Sequence, residues 1–450
     1  MIKIKPKHII LSVVALVLLL ALIPANIIIN NIKYVASEAL GGVEGPTISA
    51  DVSAQGDALV HEIAEDSMVL LRNENSALPL AEDETAVNLF GFGATDDGFL
   101  LTGKGSGGTT IHEDKKVTLT EAFTDAGFKI NTDLIAAYDA WRDTAGGYQD
   151  ADVNSYASMR PYNPPENFYT DELMQQAKEH SGVAIALLSR YTGENSGTGE
   201  GYNTTQDGVA YNNGAWLELT TEEQAMFDAI AEAGFEKVIV LFNTTNVMEC
   251  GFLEDPDYGI DAAMYIGLPG QSGARAIPNL LRGYKTVEDE DGEETRESVT
   301  PSGRLADTYA YDHQTNDPSV VNVISTSSNL HYAEDIYIGY KWYETADAEG
   351  YFNAVDNEYG KGYDGVVQYP FGYGLSYTSF EWEVLEYPED RVLAYEDTEY
   401  SIRVRVTNTG DVPGKDVVQL YYTPPYTDGG VEKAHMNLLA FGKTEMLYPA

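Results

Sequence analysis

The sequence predicts an α/β fold: an α/β sandwich built on a mainly parallel sheet, followed by an incomplete β-sandwich and preceded by a transmembrane helix. Three observations carry this expectation. Continuous apolar runs at 183–188, 238–242 and 260–266 alternate with stretches of helical periodicity, which is the pattern of a parallel sheet covered on both faces. Period-two alternation replaces it at 400–406, followed by a turn-rich link and a further strand at 417–422, the reading of a β-sandwich. An uncharged apolar run from Ile9 to Ile29 follows Lys3, Lys5 and Lys7 near the start.

That first run is long enough to cross a hydrocarbon core at ~1.5 Å per helical residue. The lysines before it place the N-terminus in the cytoplasm and the remainder outside. The expectation is therefore a single-pass cell-membrane protein with residues 1–34 as a signal anchor and an extracytoplasmic body. The rival is a cleaved signal peptide and a secreted product. Its apolar stretch is usually shorter, and no small-x-small site follows closely here.

Residues 35–55 lack periodicity and read as a spacer. Residues 57–73 place Val60, Ile63, Ala64, Met68 and Leu71 at intervals of three or four, which predicts a helix closed by Pro79. A strand is expected at 87–92, and amphipathic helices at 134–141 and 171–180. Thr221 and Gln224 form a capping-box signature for a helix running to 233. Helical character resumes at 273–281, with Pro278 as an awkward member. The α/β domain is thus drawn over 56–315, with a solvated, charge-rich insertion at 286–298. Residues 316–365 connect it to a sandwich domain over 366–450. A sandwich of this type uses about seven strands, and the few visible here make that domain look truncated.

A net charge of −44 argues against phosphate backbones and anionic lipid as ligands. The single cysteine, Cys250, excludes an intramolecular disulfide and reads as a buried or idle thiol. No paired Cys/His spacing suggests zinc, and no metal or cofactor is expected. The tyrosines of 332–343 and the glycines Gly270 and Gly273 read as packing residues.

The apolar run 183–188 leads through Ser189, Arg190, Tyr191, Thr192 and Gly193 to Glu194, then into a glycine-rich polar loop ending near Gly214. In open α/β sheets ligands bind beyond the carboxyl ends of the strands. Cleavage of a glycosidic bond needs two carboxyl groups flanking it, one of them protonated. Glu194 is the candidate acid, with Glu200 as second choice. Arg190, Tyr191 and Tyr202 are candidates for holding a sugar. A solvated, idle glutamate is the plain alternative. Gly103–Gly107 could suggest a phosphate cradle, but it lacks the Gly-Lys-Ser/Thr ending and reads as a tight turn.

Taken together, an ordered series of segments resembles the family 3 glycoside hydrolases, the β-glucosidase-like exo-enzymes. They are 69–73 with 78–80, 103–107, 189–194, 267–273, 301–305, 332–343, 371–377 and 406–410. The resemblance implies an α/β sandwich followed by a fibronectin-III-like domain. It also implies hydrolysis of a β-linked glucoside or oligosaccharide by retaining double displacement. Glu194 falls on the acid/base position. The nucleophile would be an aspartate of a separate (β/α)8 barrel, expected from a missing C-terminal region in the permuted domain order. The sequence departs from the family downstream of Glu194, where Asn212 and Asn213 stand in the neighbourhood of a usual Asp-Arg pair. A surface carbohydrate-binding module without catalysis, or a truncated remnant, is the alternative function.

Overall fold

The computed structural model describes residues 48–103, 111–112, 114–144, 163–190, 217–288, 292–318, 332–387 and 400–450. The expected anchor (1–34), the nearby spacer to 47, and most of the glycine turn at 103–107 lie outside them. Among the described residues no helix is long and apolar enough to cross a membrane. The chain divides into two units, 1–57 and 58–450. In the first, Ser49 Oγ accepts from the Val52 amide at 3.3 Å, at the start of a helix.

That helix, α1, spans Ala50–Ser67, and the chain then turns into strand β1, Val69–Asn73. The single helix expected over 57–73 is therefore corrected to a helix and a strand, and the helix begins inside the expected spacer. Val69, Leu70 and Leu71 are all buried in β1. Consecutive apolar side chains on a sheet buried on both faces satisfy a strand as well as they satisfy helical spacing.

The remaining elements follow in order: β2 (Ala86–Phe90), α2 (Leu119–Asp125), β3 (Lys129–Ile130), α3 (Thr132–Thr144), α4 (Asp171–His180) and β4 (Val183–Arg190). Then come α5 (Thr221–Ala233), β5 (Lys237–Thr244), β6 (Ala262–Tyr265) and α6 (Ala276–Arg282). The central sheet has the order β1-β6-β5-β4-β2-β3. All its pairings are parallel except the outer one between β1 and β6.

Alternate residues of β4, Val183, Ile185 and Leu187, join an apolar layer with α1, α2 and α6. Ala184, Ala186 and Leu188 join the opposite layer, formed with α3, α4 and α5. Both faces are dry, which explains why these strands read as unbroken apolar runs. Gly273 lies where α1 approaches, since a Cβ there would stand 3.0 Å from the Ala64 Cβ. Pro278 occupies the first turn of α6, where its missing N–H has no helical partner to lose. Cys250 is buried, and burial pushes its thiol pKa up, which keeps it protonated and inert.

The solvated insertion expected at 286–298 takes the form of a hairpin of β7 (Tyr284–Glu288) and β8 (Glu294–Ser298), with its side chains mostly outward. The guanidinium carbons of Arg282 and Arg296 lie 4.5 and 4.3 Å from the Tyr284 ring centroid, which fixes the base of the hairpin.

The chain continues through β9 (Tyr309–Ala310), α7 (His313–Asn316), α8 (Tyr340–Ala348) and β10 (Val367–Tyr369), which pairs with β9. Tyr343 is buried here among Ala310, Phe352 and Val366, although Tyr332 is exposed. Residues beyond β10 still belong to the α/β layer: the Leu375 amide donates to Leu70 O at 2.8 Å and Tyr373 Oη to Leu71 O at 3.0 Å. They cover the free edge of β1. Strand-rich structure begins only at β11 (Phe380–Glu386), followed by β12 (Arg403–Asn408), β13 (Val417–Tyr422) and β14 (Asn437–Lys443). β11 pairs with β12 and β13 with β14, as two separate antiparallel sheets. Trp382, Val384, Leu439 and Phe441 line a cavity of about 1400 Å³, and Phe441 is 74% exposed.

Two stability tests follow from this packing. Phe227 is fully buried, with its ring 5.5 Å from Phe252 and 5.4 Å from Tyr258. Phe227→Ala is expected to destabilise the fold by about 3–5 kcal/mol in urea unfolding. His313 is buried, and its Nε2 accepts the Ala310 amide at 3.1 Å, a bond that only the neutral ring can accept. Burial holds its pKa down to about 4. Unfolded histidine titrates near ~6.5, so between these values the unfolded chain binds more protons than the folded one. The contribution of His313 to stability should therefore fall on acidification from about 6.5 to about 4 and stay constant below that window. His313→Gln should flatten this part of a urea-midpoint-against-pH curve.

Candidate active site

Strands β2, β4, β5 and β6 are parallel, so their carboxyl ends open onto one edge of the sheet. Asn243, fully buried near the end of β5, ties this edge together. Its Nδ2 donates to Leu100 O at 2.9 Å and to Gly267 O at 2.7 Å. Its Oδ1 accepts from the Leu100 amide at 2.8 Å and from Ser189 Oγ at 3.3 Å. One side chain thus joins the connections leaving β2 and β6 to β4. Gly93 lets the β2 connection come this close, because a Cβ there would stand 2.2 Å from Ser189 Oγ.

The segment 267–273 is bound to the β2 connection as well. The Gly270 amide donates to Leu101 O at 2.8 Å, and Gln271 O accepts from the Val117 amide at 2.9 Å. Gln271 Oε1 accepts from the His112 amide at 3.0 Å. The opposite side of the edge is closed by Tyr138, whose hydroxyl accepts from the Gly91 amide at 2.8 Å. Burial pushes the Tyr138 phenol up to about 12. It stays neutral and serves as scaffold.

Arg190 is the last residue of β4, and its side chain turns inward. It and Glu223 are both fully buried. Nη1 donates to Glu223 Oε1 at 2.6 Å and Nη2 to Oε2 at 2.7 Å, a bidentate fork. The same guanidinium donates to Ser189 O at 3.1 Å and Glu218 O at 2.9 Å. Direct contact with a sugar, expected of Arg190 from the sequence, is thus not the role its described partners give it. Tyr191, Glu194, Glu200 and Tyr202 lie outside the described residues.

Glu223 is the functional-edge residue that sequence reasoning missed. The capping box that opens α5 is formed by Thr220 and Glu223, one position before the expected Thr221 and Gln224. Thr220 has extended backbone, φ −70 and ψ 164, so it is the N-cap. Thr220 Oγ1 accepts from the Glu223 amide at 3.1 Å, and Glu223 Oε2 accepts from the Thr220 amide at 2.9 Å. The signal was present as Thr-x-x-Glu, but the burial of that glutamate was not.

Among the described residues no group of His, Cys, Asp and Glu could hold a metal ion.

The pair makes a clear energetic prediction. Glu223→Gln leaves a buried guanidinium without its counter-charge and should cost about 3–5 kcal/mol in urea unfolding. The double variant Arg190→Met, Glu223→Gln removes both charges and should cost less than the single change, giving a strong coupling in the cycle.

Comparison with known proteins identifies the framework. Residues 68–340 match the glycosyl hydrolase family 3 C-terminal domain. The chain is 32% identical over 388 residues to a beta-glucosidase of Ruminococcus albus, covering 86% of this chain and 34% of that protein. It is 29% identical over 440 residues to beta-glucosidase A of Butyrivibrio fibrisolvens, covering 93% of this chain and 47% of that protein. A beta-glucosidase structure from Paenibacillus barengoltzii superposes with a TM-score of 0.67 at 31% identity, over 88% of this chain and 37% of the other. Beta-glucosidase 3B from Thermotoga neapolitana, solved with alpha-D-glucose, superposes with a TM-score of 0.65 at 26% identity, over 89% and 48%. The chain thus spans between a third and a half of the length of these relatives. With this match over most of the central sheet, and with the sheet order and its edge as described, the chain belongs to the family 3 glycoside hydrolases.

Proposed function

We propose that this chain supplies the acid/base half of a retaining, exo-acting β-glycosidase of the β-glucosidase type, with Glu194 as the acid/base carboxyl. The observation that carries the reading is the position of Arg190 at the carboxyl end of β4. Glu194 follows four residues later in sequence, and α/β sheets bind ligands beyond the carboxyl ends of their strands. Membership of the family supports the reaction class.

In the first step the Glu194 carboxyl gives its proton to the glycosidic oxygen as the bond from that oxygen to C1 breaks. A carboxylate on the opposite side of the sugar bonds to C1. In the second step the Glu194 carboxylate takes a proton from water, the water oxygen bonds to C1, and the nucleophile carboxylate leaves. That nucleophile is assigned to an aspartate of a (β/α)8 barrel, with its carboxyl ~5–5.5 Å from that of Glu194. Tyr191 and Tyr202 offer flat apolar faces to sugar rings. A β-linked glucoside or oligosaccharide is the substrate class. The same reading keeps 9–29 as a membrane anchor with the hydrolytic part outside.

The test combines the chain with a family 3 barrel domain and follows release of 4-nitrophenol from its β-glucoside. Glu194→Gln should lower kcat by about 10²–10⁴-fold. The deficit in kcat/KM, which reports the first step, should shrink with a 2,4-dinitrophenyl leaving group, which needs no proton, while kcat stays limited by the second step. Full activity in Glu194→Gln with loss in Glu200→Gln would move the role to Glu200. Sugar binding with no turnover in any combination would leave the non-catalytic binding module standing.

A further inference from the structure

We infer that the cleft between the two small sheets is a strand-addition site, which takes an extended polypeptide of alternating apolar and cationic side chains. The cleft is lined by Trp382, Val384 and Val404 of the β11–β12 sheet and by Leu420, Leu439 and Phe441 of the β13–β14 sheet, around a volume of about 1400 Å³. Sheets that pack face to face stand ~10 Å apart, with their inner side chains interdigitated. Here those side chains stay open to solvent: Trp382 is 48% exposed, Val384 54% and Leu439 48%.

The walls of the cleft are held in place by polar bonds. Asp416 accepts from Trp382 Nε1 of one sheet at 2.7 Å and from the Val417 amide of the other at 2.9 Å. At the start of β14 the Leu438 amide donates to Tyr340 Oη at 2.9 Å, and the Tyr340 ring packs on Phe371 with centroids 4.6 Å apart. A groove formed in advance loses little freedom when it is filled.

Two features select the occupant. The first is the backbone. Each small sheet has two strands, so among the described residues each strand pairs along one side only and leaves a row of N–H and C=O groups on the other. A lipid or a flat apolar ligand meets the side chains but not these groups, whereas an extended chain meets both. A two-stranded ribbon is also marginal by itself and gains from a further strand. The second feature is charge. Glu349 and Glu432 are in the lining beside Lys433 and His435, and the Lys433 amine is already turned to Pro425 O at 2.6 Å. The whole chain carries −44, so a second copy is repelled and a cationic segment attracted.

The experiment uses the full chain and a thiol placed in the cleft. Cys250 is the one cysteine of the sequence and is buried, so Thr423→Cys adds a single reactive thiol at an exposed lining position. The probe is a short peptide alternating lysine and valine. The free thiol should alkylate at the rate of an open one. At a peptide concentration about tenfold above the dissociation constant, alkylation should slow by about tenfold. A central proline in the peptide should weaken protection by about tenfold or more, because it removes a ladder donor. A valine–glutamate peptide should bind more weakly than the lysine peptide, by a margin that shrinks with salt. Leu439→Ser with Phe441→Ser should weaken protection by about tenfold or more. Both side chains are exposed, so the fold does not rest on them, and the peptide series reads the site without that variant. Slow alkylation of the free chain overturns the proposal, since the cleft is then already filled. Equal protection by the proline peptide or by a lysine-only peptide overturns it, since neither needs strand pairing against an apolar wall. Alkylation that slows with the chain's own concentration assigns the cleft to a second copy. Protection by phosphatidylcholine vesicles in place of the peptide assigns it to a membrane. Either result overturns the strand-addition site.

Discussion

The central constraint on this molecule is that its main sheet has no wet face. Along 183–188 of β4 and 238–242 of β5 every side chain enters one of two apolar layers, so polar groups are confined to strand ends or must be fully bonded. Asn88 is the exception within β2. Its Nδ2 donates to Ser181 O and Val183 O, at 3.1 and 3.2 Å, and its Oδ1 accepts from Asn131 at 2.8 Å.

At the carboxyl edge, one polar side chain per strand takes a structural task. Asn243 gathers the connections leaving β2 and β6 onto β4, and Arg190 holds the chain that leaves β4 to the chain that returns to α5. The Arg190–Glu223 pair is a costly way to add stability, because two charges leave water to form it. Its advantage is direction. A bidentate fork fixes an orientation that an apolar contact of equal volume would leave loose. Glu223 also caps α5, so one carboxylate sets both the helix start and the strand end.

The strand-rich part is attached rather than merged. Arg304 Nη2 donates to Asp416 Oδ1 at 2.6 Å, and Trp382 Nε1 donates to Asp416 Oδ2 at 2.7 Å. Lys415 reaches Asp66 at 2.9 Å, and Lys443 donates to Ser302 Oγ at 3.0 Å. Apart from Trp382–Asp416, which lies within the strand-rich part, these polar links run from the 301–305 turn and the end of α1 to the start of β13 and the end of β14. They leave the facing apolar side chains of the two small sheets lining an open cavity.

Much of the α/β architecture was legible from periodicity. The strands at 183–190 and 237–244 and the helices at 171–180 and 221–233 follow from apolar runs, caps and helical spacing that need no distant partner. The ordered motif series was sufficient for the family. What the chain could not reveal alone was the pairing of residues far apart or ambiguous in period. Val69–Asn73 reads equally as a helix end, and only its place beside β6, under the 373–377 segment, makes it a strand. Arg190 and Glu223 are 33 positions apart, and a lone arginine beside a candidate acid reads as a ligand contact until the buried carboxylate is seen. Local sequence thus determined which segments are helix or strand wherever propensity and burial pattern agree. Tertiary structure alone decided which charges meet in the dry interior, because that depends on long-range proximity, not on any local pattern.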